Sequence, residues 1–474
     1  MQHSEHHSRL GSKASNDLGS AGIGRLLFRL AVPSIMAQII NVLYNMVDRM
    51  YIGHLEGIGD VALTGVGVCF PLITAISAFA ALVSMGGAPR ASIFLGRGDK
   101  QTAEKILGNC ATALVVVGIL LTGFFYLFGY QLLGLFGASP DTIGYSWEYF
   151  RIYLIGTIFV QASLGLNAFI NAQGYTITGM LTVVIGAVLN IILDPVFMFL
   201  LDMGVEGAAL ATILSQAVST AFTIWFLCSK RSYLRLKKEN LRPVASVLWP
   251  SIALGLSPFV MQLTESVISV CFNTQLQIYG GDIAVGAMTV LSSVMQFSML
   301  PLQGMAQGAQ PITSFNFGAG KIDRVIKSYR FLLIVCLIYS TSLWAICEFA
   351  PALVVGIFTP PEGSLGVYTC AALRIYMATS LMFGAQIACQ QTFVALGKAG
   401  VSLFLAVLRK IILLVPLIFV LPRILPIAQD NAVFTAEPVA DALAVITTCT
   451  MFAIVFGGMV RRWKQQNRQK AAAE

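Results

Sequence analysis

Charge is what this sequence has least of: Asp, Glu, Lys and Arg make up 11% of its 474 residues, while 57% are hydrophobic. Mean hydropathy is +0.78, far from the balance of a water-soluble domain, in which about a quarter of residues are charged. A soluble enzyme or binding module is excluded, and a polytopic membrane protein is implied. Histidine is scarcer still, with 4 in the chain. His3, His6 and His7 sit in a Gly/Ser-rich tail, where solvated side chains are a commoner outcome than a metal site. The nine cysteines show no CxxC spacing and read as free packing residues. Residues 1–24 lack an apolar h-region with a small-residue cleavage site, so the first span is expected to serve as its own signal. No GxxxxGK[ST] loop occurs, since Gly320-Lys321 is followed by Ile322, and no nucleotide is expected. No basic face is interleaved with stacking aromatics, which argues against nucleic acid.

Long apolar runs are present instead. Crossing about 30 Å of hydrocarbon takes roughly 20 residues, and the runs predict twelve helices. The first six lie near 26–53, 60–86, 105–133, 146–172, 177–201 and 205–228. The second six lie near 246–279, 283–313, 326–350, 367–396, 400–425 and 438–460. The runs are continuously apolar and lack the alternation of a membrane barrel. Most of the 30 Lys and Arg fall in the tails and the even-numbered loops, whereas Glu56, Asp60, Asp141, Asp202, Glu206, Asp282, Glu362, Asp430 and Glu437 fall on the opposite side. By the positive-inside rule both termini are cytoplasmic.

The chain repeats itself. Gly59-Asp60, Gly86, Pro89, Gly96 and Gly98 match Gly281-Asp282, Gly308, Pro311, Gly318 and Gly320 at one offset. One residue further out of register, Arg151-Ile152-Tyr153 and Gly174 match Arg374-Ile375-Tyr376 and Gly397. Two six-helix halves entering from the same side predict a pseudo-two-fold axis along the membrane normal, with the pathway between the lobes. The expected division is a polar tail (1–24), an N-terminal lobe (25–228), a basic linker (229–245), a C-terminal lobe (246–460) and a basic tail (461–474). The glycine-rich turns after spans two and eight read as helix caps anchored by basic residues.

Most of the 22 Asp and Glu fit tails, loops or span ends, which leaves Asp48, Asp194 and Glu265 within lipid. A charge at the bilayer centre costs about 2.5 to 3.5 kcal/mol, so its retention marks a pathway or relay. Gln38, Asn41, Tyr44, Asn45 and Asp48 form one polar stripe along the first span. Arg49 can neutralise Asp48, tie helices together with it, or snorkel to the interface. On the fifth span Asn190 and Asp194 share a face one turn apart, and Pro195 frees the Ile191 carbonyl. With Thr212 on the sixth span, these oxygens can hold either a sodium ion or a proton; Thr212 can equally bond its own helix. The C-terminal counterparts of Asn190 and Asp194 are Leu413 and Leu417, so the ion chemistry is asymmetric. Glu265 can take protons or cationic substrate, or simply pair with Lys410, which follows Arg409 in span eleven. Met288, Met295, Met299 and Met305 lie along span eight; packing is their ordinary role, and lining for varied apolar ligands the alternative.

The PSIMAQIINVLYNMVDRMYIG span, the two glycine-rich turns, and AVLNIILDP with GAALAT resemble multidrug and toxic compound extrusion (MATE) transporters, the bacterial DinF-like group and its MepA-like members above all. The resemblance covers residues 25–460. It implies an all-α antiporter of the bacterial inner membrane, monomeric and without a cofactor, that exports cationic amphipathic compounds by alternating access in exchange for H+ in preference to Na+. It places Asp48, Asn190, Asp194 and Thr212 at the family's N-lobe ion site. The NorM-like branch has an aspartate in span ten, and Ala385-Gln386-Ile387-Ala388-Cys389-Gln390 has none. The alternative is a lipid-linked precursor flippase of related fold, for which Arg49, Arg151, Arg374, Arg409 and Lys410 would supply a cationic cavity. An intramembrane enzyme is disfavoured, because no span carries a catalytic set.

Overall fold

The computed structural model describes residues 17–55 and 57–473, among which no strand occurs. Spans α1 to α3 are Ile23–Gly53, Gly59–Gly96 and Lys100–Leu135. Span α4 is a bent pair, Ile143–Ile155 and Thr157–Ala172, at 58°. Span α5 runs Thr176–Pro195 and continues as a π-helical turn Val196–Leu200, and α6 is Gly204–Cys228. A continuous stretch Ala245–Gly318 breaks at Gly281, where φ 63° and ψ −159° are open to glycine alone. Its two arms are α7 and α8. Span α9 is Ile322–Phe349, and α10 is the bent pair Ser364–Tyr376 and Ser380–Ala395, at 45°. Span α11 is Ala399–Ile424, with a π-helical segment Leu408–Leu414, and α12 begins at Gln429. Among the described residues this makes twelve helical spans, counting each bent pair as one and the two arms that meet at Gly281 as two, as the apolar runs predict. The triple histidine tail and Glu56 lie outside the described residues.

The outer faces are lipid-compatible. Large apolar side chains such as Leu127, Leu200, Leu353 and Ile454 stand 68–78% exposed around the molecule, an arrangement that water would not tolerate. Inside, the buried side chains gather into cores that mostly follow the two halves, although Leu26, Leu27, Leu30 and Ala31 of α1 join the core of the second half. Ile76, Phe125, Phe150, Leu107 and Phe169 belong to the first half, Phe272, Leu291, Tyr376 and Phe434 to the second. Lipid offers apolar residues as much contact as a neighbouring helix does, so small residues that allow backbones to approach decide where helices meet.

That principle is visible where the lobes touch. A Cβ on Gly96 of α2 would overlap the Phe315 carbonyl of α8, and one on Gly318 of α8 would overlap the Ile93 carbonyl of α2. Each contact is the other shifted by the repeat offset, which makes the pseudo-two-fold axis a property of the coordinates. Gly86 meets Ser251 of α7 and Gly308 meets Ala31 of α1 in the same manner. Arg90 fastens this seam by donating to the Val247 carbonyl at 2.7 Å and to the Ser251 hydroxyl at 2.6 Å. All of these contacts lie in the half of the molecule that carries the chain termini, so the cleft is closed there. Gly98 and Gly320 adopt positive φ at equivalent turns, the role in helix termination that the sequence assigns to them, and Gly174 and Gly397 do so at a second equivalent pair. Asp99 caps α3 through the Thr102 amide at 3.0 Å. The Thr102 hydrogen bonds hold the Asp99 carboxyl below its ordinary value.

Candidate ion-coupling site

Span α1 packs along α5, and α5 along α6, which brings the predicted N-lobe residues together. Asp48, Asn190, Asp194 and Thr212 are all buried, Asp194 completely. The Asn190 amide donates to Asp194 Oδ1 at 3.0 Å and reaches Thr212 Oγ1 at 3.5 Å. The Thr212 hydroxyl itself donates to the Ala208 carbonyl at 3.0 Å, the helix-internal bond that hydroxyls on helices favour. Asp48 Oδ1, Asn190 Oδ1 and Asp194 Oδ2 are buried acceptors with no hydrogen-bond partner. Asp48 and Asp194 are close enough to act on one another electrostatically. Buried oxygens left in this state are costly unless a proton or a cation comes to them.

The rest of the stripe divides. Tyr44 stands near both carboxylates, and the Asn45 amide donates to the Asn41 carbonyl at 2.6 Å. Gln38 and Asn41 instead line a cavity of about 330 Å³ with Asn167, Asn171 and Gln310. Arg49 forms no ion pair with Asp48 among the described residues; its guanidinium lies 4.7 Å over the Phe70 ring. The sequence reading missed Tyr149, which is buried beside Asp48 and Thr212 and stacks on Tyr153. Only its burial on a helix facing the site singles it out.

The C-lobe holds a second polar group. Lys410 Nζ meets Glu265 Oε1 at 2.9 Å, the pairing that sequence left open. Arg409 donates from Nε to Asp441 Oδ1 at 2.6 Å, with Glu437 at 3.7 Å from its other end. Glu437 corrects the sequence reading: span α12 begins at Gln429, nine residues before the predicted start, so Glu437 and Asp441 are buried within the span and Glu437 does not lie in an outer loop. Their spacing, four residues on one helical face, is the signal that identifies them. Glu265, Lys410, Met288, Met295 and Met299 line a cavity of about 360 Å³, whereas Met305 packs in the core. The two cavities share Met85, Gln262, Gln307 and Gln310 and so adjoin. Among the described residues no cluster of three or more His, Cys, Asp or Glu could hold a metal ion.

The chain is similar over most of its length to known transporters. It is 23% identical over 437 residues to the multidrug export protein MepA of Staphylococcus haemolyticus (strain JCSC1435), covering 92% of this chain and 93% of that protein. It is also 23% identical over 449 residues to MepA of Staphylococcus aureus (strain N315), covering 92% and 94%. A MATE crystal structure in the bent conformation superposes with a TM-score of 0.89 at 22% identity, over 95% of this chain and 99% of that one. An outward-facing multidrug resistance MATE family transporter of the MOP superfamily gives 0.85 at 23%, over 95% and 99%. The MatE family model matches twice, at residues 33–196 and 258–420, once in each half of the repeat. The chain thus belongs to the MatE family of secondary transporters and is not an enzyme.

Proposed function

We propose that this chain exports cationic amphipathic compounds across the bacterial cytoplasmic membrane, with both termini in the cytoplasm, in exchange for protons in preference to sodium. The observation that carries the reading is the pair of buried carboxylates, Asp48 and Asp194, each with an unpartnered oxygen on adjoining helices. A proton is the smallest charge that satisfies such a pair. An alkali cation needs a shell of several oxygens, and the Asn190 amide already occupies one Asp194 oxygen. Loading and unloading this site biases two states, one closed by the glycine seam and one open there. The 25–228 and 246–460 lobes rock about the axis between them, joined by the 229–245 linker. Each charge that enters down a potential of about 100 mV supplies roughly 2.3 kcal/mol, enough for more than a tenfold drug gradient.

Other names fit this reading. The relatives in Staphylococcus are multidrug export proteins, and the methionine- and glutamine-lined cavities suit varied amphiphiles. The lipid-linked precursor alternative needs a cationic cavity. Arg409 and Lys410 are instead matched by three carboxylates, and Arg151 is paired with Glu206. Efflux of a fluorescent cation from everted vesicles tests the proposal, comparing an imposed pH gradient with an imposed sodium gradient. Asp194→Asn is expected to lower the proton-driven rate by about tenfold or more. Unchanged pH and sodium dependence in that variant would remove the central claim.

A further inference from the structure

The basic linker is strapped to the N-terminal lobe along α3. Gln173 Oε1 accepts from the Leu234 amide at 2.8 Å and from the Ser232 hydroxyl at 3.1 Å. Further on, the Val244 amide donates to Asn109 Oδ1 and the Thr112 hydroxyl to the Leu241 carbonyl, both at 2.6 Å. At the head of this strap three cationic residues crowd one acid. Lys237 Nζ lies 2.6 Å from Glu104 Oε2 and Lys100 Nζ 3.8 Å from Oε1, while the Arg235 amide donates to Oε1 at 3.3 Å. Lys100 also rests 4.5 Å from the centroid of the Tyr233 ring, which keeps it over the linker.

The Arg235 side chain is left over. Its Nε is buried without a hydrogen-bond partner, and its guanidinium forms no ion pair among the described residues. Glu104, buried beneath the cations, has both oxygens engaged already. Asp99 is turned to the Thr102 amide, and Glu239, exposed two residues past Lys237, takes part in no ion pair among the described residues. A buried guanidinium donor without an acceptor is costly. The cluster carries two positive charges in excess, and the Lys100 and Lys237 side chains are 41% and 47% exposed, so an anion from outside can reach it. Two ammonium groups beside a guanidinium fork suit the oxygens of a phosphate.

The helix below the linker indicates what carries that phosphate. Val115, Val116, Ile119 and Leu120 stand at helical spacing from Thr112 and are 41–66% exposed. At 1.5 Å per residue, Leu120 lies about 24 Å along α3 from Glu104, close to the depth of one leaflet with its headgroups, about 20 Å. A soluble phosphate would use the cations alone, whereas a lipid uses the cations and the apolar strip together. We propose that Lys100, Arg235 and Lys237 bind the phosphate of an anionic phospholipid in the leaflet on the side of the chain termini, with an acyl chain along α3, and that this lipid holds the linker to the N-lobe. A phosphate oxygen supplies the acceptor that Arg235 Nε lacks. The site lies apart from both cavities and does not depend on which compound or ion is moved.

The test uses the full chain in a mild detergent, stripped of lipid and titrated with phosphatidylglycerol, phosphatidylcholine or inorganic phosphate, with binding read by native mass spectrometry. Phosphatidylglycerol is expected to bind at least about tenfold tighter than phosphatidylcholine, less so as salt rises, and to lower hydrogen exchange over 229–245. Arg235→Gln is expected to weaken phosphatidylglycerol binding about tenfold or more. Arg231→Gln removes an equal charge from the linker at a guanidinium that lies 5.7 Å over the Trp225 ring, and is expected to change binding by less than about threefold. Should Arg235→Gln fail to fold, Arg235→Lys serves instead: it keeps the charge, loses the fork, and is expected to show a loss of about tenfold too. Equal binding of the two lipids, or equal losses in the Arg235 and Arg231 variants, overturns the site. Inorganic phosphate that binds as tightly as phosphatidylglycerol overturns the lipid as its occupant, and linker exchange that phosphatidylglycerol leaves unmoved overturns the holding role.

Discussion

At the scale of the residue, the protein separates carboxylates that are paired from carboxylates that wait. Glu265 and Asp441 have cationic partners at 2.9 and 2.6 Å, whereas Asp48 has none among the described residues. Arg409 is the residue on which most depends in the C-lobe, since both Glu437 and Asp441 lean on it. Arg409→Met is expected to destabilise the fold by about 3 to 5 kcal/mol, because it strands buried acids without a counter-charge. Thermal unfolding in a fixed detergent measures this, and a transition unmoved from that of the unmutated chain would contradict it. Asn190→Ala removes the amide that orients Asp194 and is expected to slow proton-driven efflux without changing thermal stability to the same degree. Transport in vesicles and unfolding of the same preparation separate the two effects. Asp48, Asp194 and their partners were legible in the sequence because an acid in an apolar run has few innocent explanations. Glu437 and Asp441 were not, because the run that contains them begins with polar residues that look like a loop.

At the scale of the element, helices meet where glycine lets them. The reciprocal contacts of Gly96 and Gly318 join α2 to α8 on the termini side. Gly96→Val and Gly318→Val are expected to have similar effects, since symmetry makes the contacts equivalent, and to shift the protein toward a state open on that side. Hydrogen exchange over 82–96 and 311–319 should rise in both variants; protection unchanged in either one would argue that the seam is not the closure. The cap at Asp99 offers a pH test outside the membrane. Its carboxyl is held low by Thr102, so the stability it adds to α3 is present above its unfolded value and lost as pH falls through the lower folded one. Asp99→Asn keeps a capping oxygen and is expected to lose that acid-range dependence, which local hydrogen exchange of the first turn can follow. Such caps and turns are readable from sequence; that glycines 86, 96, 308 and 318 are contacts between lobes is not, because nothing local distinguishes a packing glycine from a turn glycine.

At the scale of the whole molecule, a duplicated six-helix unit has kept its architecture and divided its chemistry. The family match falls once in each half, yet the N-lobe has bare carboxylates and the C-lobe an ion-pair cluster. Orientation belongs to this scale as well. Asn41 lines a cavity beyond the closed seam, so in a cysteine-free background Asn41→Cys is expected to react with a membrane-impermeant maleimide added outside intact cells. Labelling only from the inside would reverse the assigned topology. The glycine contacts between the lobes are reciprocal, as a two-fold axis relating the halves requires.

By itself the sequence determined the all-helical class, the twelve crossings, the repeat and the acids on α1 and α5. Each follows from a rule that acts locally: the thickness of hydrocarbon, the cost of a bare charge in it, and the recurrence of glycines at one offset. Tertiary structure alone decided which oxygens are left without donors, which carboxylates share Arg409, and which face of the cleft is shut. Those depend on distances between helices far apart in the chain, set by where small side chains let two backbones come close.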